Sequence, residues 1–293
     1  MRKACRVLVR SLSNLLNYQD FLSVQSRLAN QDFEPLGVGI TNLAYWHARK
    51  SFKYGEADAL AEVKRWMEHQ AYYLTEASVE LAQERGPCAR SQHTYYGKGV
   101  FPWERRKAGV NELTDFTPSL DWEPLRERMK KYGIRNATLM AVAPVESSSV
   151  VLNSTNGIEM PMELISVKES KAGSFVQVVP EYKRLKNRYQ LMWDQKDCID
   201  YLKTASVLAV YIDQSLSTNT FYNPANYQGG KVPATVIAKN LMLAYRWGLK
   251  TIYYSLINKV GAKADMTNTS SAITLSPVTV YEELDDDCEA CKL

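Results

Sequence analysis

The sequence predicts an α/β protein in which short parallel strands alternate with longer helices. Apolar segments of strand length recur along the chain, and the segments between them carry apolar residues at helical spacing, a pattern typical of parallel sheets. Of the 293 residues, 45% are hydrophobic and 23% are charged, which is ordinary for a globular protein and excludes disorder of the whole chain. The longest apolar runs, such as 207–212, are far shorter than the roughly 20 residues that cross a bilayer. The first residues also lack the unbroken apolar core of a secretory signal, so we expect no membrane partner.

Six segments have the apolar spacing of helices. The longest is 56–85, in which Leu60, Val63 and Met67 recur at helical intervals before Gly86 and Pro87 end the pattern. The predicted helices cover residues 2–17, 41–52, 56–85, 122–132, 196–215 and 233–247.

Four shorter apolar segments are candidate strands, at residues 33–40, 136–142, 176–179 and 249–255. The first contains Gly37 and Gly39 but lacks the third glycine of a dinucleotide-binding motif. The sequence therefore does not indicate a nucleotide-binding loop of that kind.

Charge is distributed unevenly along the chain. The net charge is +4, yet residues 281–293 hold six acids and one base, which leaves +9 on residues 1–280. This basic excess favours an anionic ligand, although solubility alone also explains it. No Lys/Arg cluster is dense enough to predict a nucleic-acid polymer as partner. After about residue 260 the apolar density falls, and residues 265–276 have the Thr/Ser/Asn composition of a flexible segment.

The five cysteines are odd in number, and only Cys288 and Cys291 share a motif. Reduced thiols in a cytoplasmic protein are the natural interpretation. Two thiols at this spacing can close a redox-active disulfide. A zinc site is the competing interpretation, but it needs two further ligands, and the three histidines lie far away in the sequence. The third interpretation is that the two cysteines are inert.

A run of hydroxyl residues, Ser147, Ser148 and Ser149, follows the strand candidate 136–142. Free N–H groups at the start of a helix, together with hydroxyls, favour phosphate. The alternative is a set of capping residues that merely begins a helix.

The adjacent Tyr253 and Tyr254 can relay an electron together with a proton. The alternative is chance, because the chain has 18 tyrosines and aromatic residues favour strands.

Six stretches, taken together, match one protein family in order and spacing. They are LGVGITNLAYW (36–46), YYGKGVFPWE (95–104), YGIRNATLMAVAPVESSSVVLNSTNGIEMP (132–161), YIDQSLSTNTFYNP (211–224), GKVPATVIAKNLMLAYRWGLKTIYY (230–254) and CEACKL (288–293). Through them nearly the whole chain resembles the C-terminal part of the large, catalytic subunit of class I ribonucleotide reductase. The resemblance implies that residues 1–259 form the later strands and helices of a ten-stranded α/β barrel, and that residues 260–293 form a flexible, redox-active tail.

The resemblance also implies roles for individual residues. Tyr254 would face the small subunit and Tyr253 would pass the oxidation to the active-site cysteine, while Cys288 and Cys291 would re-reduce the active-site disulfide. The substrate diphosphate would bind the loop of Pro144, Val145, Glu146, Ser147 and Ser148. Val145 replaces a hydroxyl residue of some relatives, which removes one hydrogen bond. The small subunit's C-terminal peptide would contact Ile237, Leu241, Ala244 and Tyr245.

Parts of the family's active site are not evident in the sequence. The thiyl-radical cysteine belongs to an Asn-x-Cys-x-Glu motif that precedes the matching region, and Cys5, Cys88 and Cys198 do not have the surroundings of the two reducing cysteines. Because the chain opens with Met1, we expect a large subunit split into two polypeptides; a truncated protein is the alternative.

The resemblance implies the partners of such a split subunit. They are an N-terminal chain carrying the thiyl cysteine, a small subunit with a metal–tyrosyl radical, thioredoxin or glutaredoxin, and a ribonucleoside diphosphate. This chain itself would bind no metal or other cofactor. The alternative function is a non-catalytic regulatory or assembly partner, which would require neither the tyrosine pair nor the cysteine pair.

Overall fold

A computed structural model of the protein describes residues 1–170 and 173–258. Each of the six predicted helices is present, with ends shifted by a few residues. Nine α-helices lie within the described residues: α1 Arg2–Tyr18, α2 Val24–Phe33, α3 Leu43–Lys50, α4 Ala57–Arg85, α5 Glu123–Tyr132, α6 Glu146–Val151, α7 Tyr182–Leu185, α8 Ile199–Ala209 and α9 Ala234–Arg246. No helix within those residues is both long enough and apolar enough to cross a membrane.

Helix α4 is the centre of the helical layer. Leu60, Val63, Met67 and Leu74, which recur at helical spacing, are buried, as the periodicity predicts, whereas Trp66 is 48% exposed. Helix α1 lies parallel to α4, because ion pairs connect the two helices in steps of four residues along both. They are Arg2–Glu76 at 2.6 Å, Arg6–Glu80 at 2.6 Å and Arg10–Glu84 at 2.7 Å.

Parallel extended segments lie side by side in chain order. Val38 bridges Met140, and Val142 bridges Leu216, both in parallel. The strand β3, Thr220–Tyr222, then pairs in parallel with β4, Ser255–Ile257. Helices connect these segments, so the predicted α/β class with parallel strands is confirmed. Among the described residues the row stays open, and a closed ten-stranded barrel is not formed.

Two glycines permit close contact between the first two segments. A Cβ on Gly39 would lie 2.6 Å from the carbonyl oxygen of Ala141, and one on Gly37 would lie 3.3 Å from the Ala141 Cβ. These glycines therefore serve strand packing.

The chain also contains an antiparallel hairpin that the sequence did not predict. Its strands are β1, Ile165–Ser170, and β2, Gly173–Val178, with Ile165 opposite Val178. The predicted strand 176–179 overlaps the second of them. Only two residues connect the strands, and such a short link permits only antiparallel pairing.

Three further predictions differ from the structure. Helix α8 ends at Ala209 instead of residue 215, because Gln214 and Ser217 donate backbone hydrogen bonds to Met140 and Val142 and so belong to the parallel row. The predicted strand 249–255 is displaced to Ser255–Ile257. Helix α2 was missed, although Ser23 caps it by accepting a hydrogen bond from the Ser26 N–H at 3.1 Å. The predicted tail, 260–293, lies outside the described residues.

Candidate functional site

The candidate phosphate loop follows the second segment of the parallel row. Helix α6 begins at Glu146, and its cap residue, Val145, makes no side-chain capping bond. Ser147, Ser148 and Ser149 lie inside α6, so none of them is its cap residue. Ser149 is buried and donates to the Glu146 carbonyl at 2.7 Å, whereas Ser147 and Ser148 are exposed.

A cavity of about 150 Å³ lies beside this loop. Glu146, Glu159 and Glu163 line it, together with hydroxyl, amide and apolar groups, and no lysine or arginine lines it among the residues that the structure describes. The carboxylates disfavour an anion deep in the cavity. Outside the cavity, the loop offers hydrogen-bond donors: the first N–H groups of α6, which helix geometry leaves without intrahelical acceptors, and the exposed hydroxyls of Ser147 and Ser148.

Side chains connect this loop to the tyrosine pair through hydrogen bonds. The Val145 N–H donates to Asn156 Oδ1 at 3.2 Å, and Asn156 Nδ2 donates to Glu159 Oε2 at 3.5 Å. From the other side, the Tyr254 N–H donates to Asn219 Oδ1 at 3.0 Å, and Asn219 Nδ2 donates to Glu159 Oε1 at 2.5 Å. We call this chain of five residues the relay. Burial raises the pKa of Glu159, and the charge of Glu146 raises it further, whereas the bond from Asn219 opposes both.

Tyr253 and Tyr254 lie in ring contact, tilted against each other, at the edge of the parallel row. Their ring centroids are 4.1 Å apart at an interplanar angle of 52°, and the side chains are 54% and 55% exposed. The hydrogen bond to the Tyr254 side chain raises the pKa of Tyr253. The backbone anchors the pair, because Tyr253 N–H donates to the Thr218 carbonyl and Thr220 N–H to the Tyr254 carbonyl, both at 2.8 Å.

Helix α9 presents an apolar surface that differs in part from the predicted contact surface. Leu241 and Tyr245 are exposed, and Ile237 is half-buried, but Ala244 is only 2% exposed. The assignment of Ala244 to a contact surface is therefore wrong, since its side chain faces the core. Met242, which the sequence analysis omitted, is 71% exposed on the same helix.

The cysteines in the described residues are free and buried. Burial raises the pKa of Cys88 to about 11, with Glu34 adding to the shift. Burial also raises the pKa of Cys198, whose Sγ lies 3.8 Å from the Tyr222 hydroxyl. None of these thiols is poised for redox chemistry. Cys288 and Cys291 lie outside the described residues.

Other polar and apolar features lie away from the loop. Within the described parts of the chain, no three His, Cys, Asp or Glu side chains are grouped as metal ligands. A mainly apolar cavity of about 430 Å³ lies between α3 and α4, with Trp46, Arg49 and Trp66 in its wall. It includes none of the predicted site residues.

A family model described as the ribonucleotide reductase barrel domain matches residues 1–255. The chain belongs to the ribonucleotide reductase family. It is 43% identical over 85% of its length to the ribonucleoside-diphosphate reductase subunit alpha of Buchnera aphidicola from Baizongia pistaciae. It is 39% identical over 97% of its length to that of Haemophilus influenzae, and 35% identical over its full length to that of enterobacteria phage T4. These matches cover 33%, 36% and 37% of the relatives, so the chain spans about a third of their length.

The ribonucleotide reductase match includes the loop, the relay and the tyrosine pair, but not Cys288 and Cys291. The sequence analysis missed Asn156, Glu159 and Asn219 as site residues. The available signal was their position in two of the matching stretches, 132–161 and 211–224. Residue spacing alone does not indicate that they meet.

Proposed function

We propose that this chain is the C-terminal part of the large subunit of an aerobic ribonucleoside-diphosphate reductase. It would work with a separate N-terminal chain that carries the thiyl cysteine and with a radical-generating small subunit. The tyrosine pair in ring contact carries this proposal, because neither a binding module nor a stable core requires two exposed phenols in contact. The family of the chain and the names of its relatives support the same reaction.

The loop 144–148 would hold the substrate diphosphate. Its exposed hydroxyls and the first N–H groups of α6 support this role, since both stabilise phosphate oxygens. Val145 offers no hydroxyl, so its side chain contributes no bond. Ribonucleoside diphosphate would then enter with its sugar directed toward residues of the partner chain.

The reduction would take place between the substrate and partner thiols. A thiyl radical on the partner would take the 3′ hydrogen, the 2′ oxygen would leave as water, and two partner thiols would supply two electrons and form a disulfide. This chain would contribute substrate binding and the tyrosines that deliver the oxidation. Cys288 and Cys291 would reduce that disulfide and would themselves be reduced by thioredoxin or glutaredoxin.

Two surfaces support the proposed partners. The extended segments at the two sides of the open row offer backbone groups to further strands, which an N-terminal chain could supply. Leu241, Met242 and Tyr245 on α9 form an exposed apolar group that fits a peptide of the small subunit.

The substitution Tyr254→Phe tests the proposed function. It keeps the ring and its packing but removes the hydroxyl that exchanges the proton with the electron, so turnover is expected to fall below detection while substrate binding is retained. The measurement is deoxyribonucleotide formation by the complex of this chain with an N-terminal chain and a small subunit. Tyr18→Phe, at an 88% exposed tyrosine of α1, is the matched control and should keep full activity. Substantial turnover by the Tyr254→Phe complex would refute the radical role.

A further inference from the structure

We propose that Glu159 is a positioning residue that couples the loop 144–148 to Tyr254 through the relay. The inference rests on the proposed function, since it assigns Glu159 a task between the proposed substrate loop and the proposed radical tyrosines. Glu159 touches neither, and it acts through Asn156 on one side and Asn219 on the other.

The direction of each hydrogen bond fixes what the central residue must be. Both backbone N–H groups, of Val145 and Tyr254, donate to the amide oxygen of an asparagine. Each asparagine therefore turns its NH₂ group toward the centre, so two donors converge there. The central group must therefore accept at two separate places, and the two carboxyl oxygens of Glu159 do so.

The relay connects parts of the chain that are distant in sequence. Asn156 and Glu159 belong to one turn, in which the Glu159 N–H donates to the Asn156 carbonyl at 3.2 Å. Asn219 precedes β3 and lies 60 residues from Glu159. A ligand that moves the Val145 N–H therefore alters the hydrogen bonds of the turn 156–159. Through Glu159, that turn holds the Asn219 amide, which accepts the Tyr254 N–H.

The polarity predicts the effect of a neutral substitution. In Glu159→Gln the side chain offers one oxygen and one NH₂ group, so one asparagine faces a donor instead of an acceptor. Neither asparagine can rotate its amide to compensate, because its oxygen already accepts from a backbone N–H. One side of the relay is lost. The double variant Glu159→Gln/Asn219→Asp moves the acceptor oxygens to position 219 and restores every bond with the same net charge.

The test uses the full chain labelled with ¹⁵N-tyrosine and titrated with inorganic pyrophosphate as the probe. The Tyr254 amide signal is identified by its loss in Tyr254→Phe, and binding is measured separately by calorimetry. In the unsubstituted chain we expect pyrophosphate to shift the Tyr254 amide more than the amides of Tyr18 and Tyr132, which lie outside the relay. In Glu159→Gln the Tyr254 shift should disappear while the pyrophosphate affinity changes less than about threefold. The double variant should recover the shift.

Glu163→Gln is the matched control, because Glu163 lines the same cavity but is outside the relay; it should keep the shift. If thermal melting shows that Glu159→Gln does not fold, Asn219→Ala cuts the same link and must give the same result. A Tyr254 shift that persists in these variants, or that is absent in the unsubstituted chain although pyrophosphate binds, overturns the coupling. If pyrophosphate does not bind at all, the proposed substrate role of the loop 144–148 fails, and the coupling fails with it.

Discussion

His47 is a buried histidine whose two ring nitrogens have no hydrogen-bond partner. It lies on α3 among the rings of Trp46, Phe52 and Tyr54, with the Tyr54 ring centroid 4.3 Å away. Burial lowers the pKa of His47 from 6.5 to about 4. The folded protein therefore keeps this imidazole neutral where the unfolded chain protonates it.

We expect His47 to make the free energy of unfolding depend on pH between 6.5 and 4. In this window the unfolded chain binds more protons, so stability is full above pH 6.5 and falls as the pH drops to about 4. The loss from this one group amounts to about 3 kcal/mol, from about 1.4 kcal/mol per pKa unit. His47→Leu, a side chain of similar size without nitrogens, should flatten the curve measured by urea unfolding at several pH values.

The control for this prediction is His93→Leu, at an exposed histidine. Because His47 is still present there, the pH dependence of the unsubstituted protein should remain. If the free energy of unfolding of His47→Leu depends on pH as strongly as that of the unsubstituted protein, other groups cause this dependence.

At the scale of elements, Asp213 fixes the strand that leads into the candidate phosphate loop. Its Oδ1 accepts the Met140 N–H at 2.9 Å, and its Oδ2 accepts the Leu139 N–H at 2.7 Å and the Tyr96 hydroxyl at 2.8 Å. One carboxylate thus holds residues 139 and 140 beside the end of α8. The direction in which the chain enters the loop 144–148 depends on this contact.

Asp213→Asn is expected to destabilise the fold by about 2 kcal/mol. The amide has one acceptor oxygen, so at least one backbone N–H of the strand is left facing a donor in a buried place. The measurement is the urea midpoint of unfolding, which should fall without a change of slope. Asp200→Asn, at a partly exposed aspartate paired with Lys203, should change stability by less than about 0.5 kcal/mol. Equal midpoints for the two variants would contradict the role of Asp213.

At the scale of the whole molecule, the row of parallel segments is open among the described residues, and the chain spans about a third of its relatives' length. Both observations support the proposal that strands of another chain complete the site. A radical reaction requires a site that is closed to solvent. Under the proposed function, the loop, the relay and the tyrosines of the described residues would form one side of such a site. We infer that the remaining strands close it, and this closure determines how reducing equivalents reach the interior.

We expect the substitution of both Cys288 and Cys291 by Ser to block sustained turnover with thioredoxin or glutaredoxin but not with dithiothreitol. A folded protein cannot enter a closed site. A chain of about 30 residues with the Thr/Ser/Asn-rich composition of 265–276 is predicted from its sequence to reach roughly 30 Å, far enough to carry a dithiol inside. The assay compares turnover of the complete complex with the two kinds of reductant, so dithiothreitol is the internal control. Normal turnover of the double variant with the protein reductant would end this interpretation, and so would a zinc ion bound by the two cysteines.

The sequence by itself determined the features that depend on neighbouring residues. The burial of Leu60, Val63 and Met67 follows from their spacing on one helix, and the start of α6 after the strand follows from the run of residues around Glu146. The tyrosine pair is visible because its two members are adjacent. The family is visible because its motifs are continuous stretches. Each of these features depends on residues that are close together in the sequence.

The tertiary structure alone decided which distant residues meet. Glu159 accepts a hydrogen bond from Asn219 across 60 residues, and no periodicity relates the two. Ala244 lies on the predicted face by spacing, yet the packing of α9 turns it into the core. His47 is likewise neutral only because other elements exclude water from it. Burial and the direction of hydrogen bonds are set by neighbours in three dimensions. The hydrogen bonds of the relay connect the loop to the tyrosines.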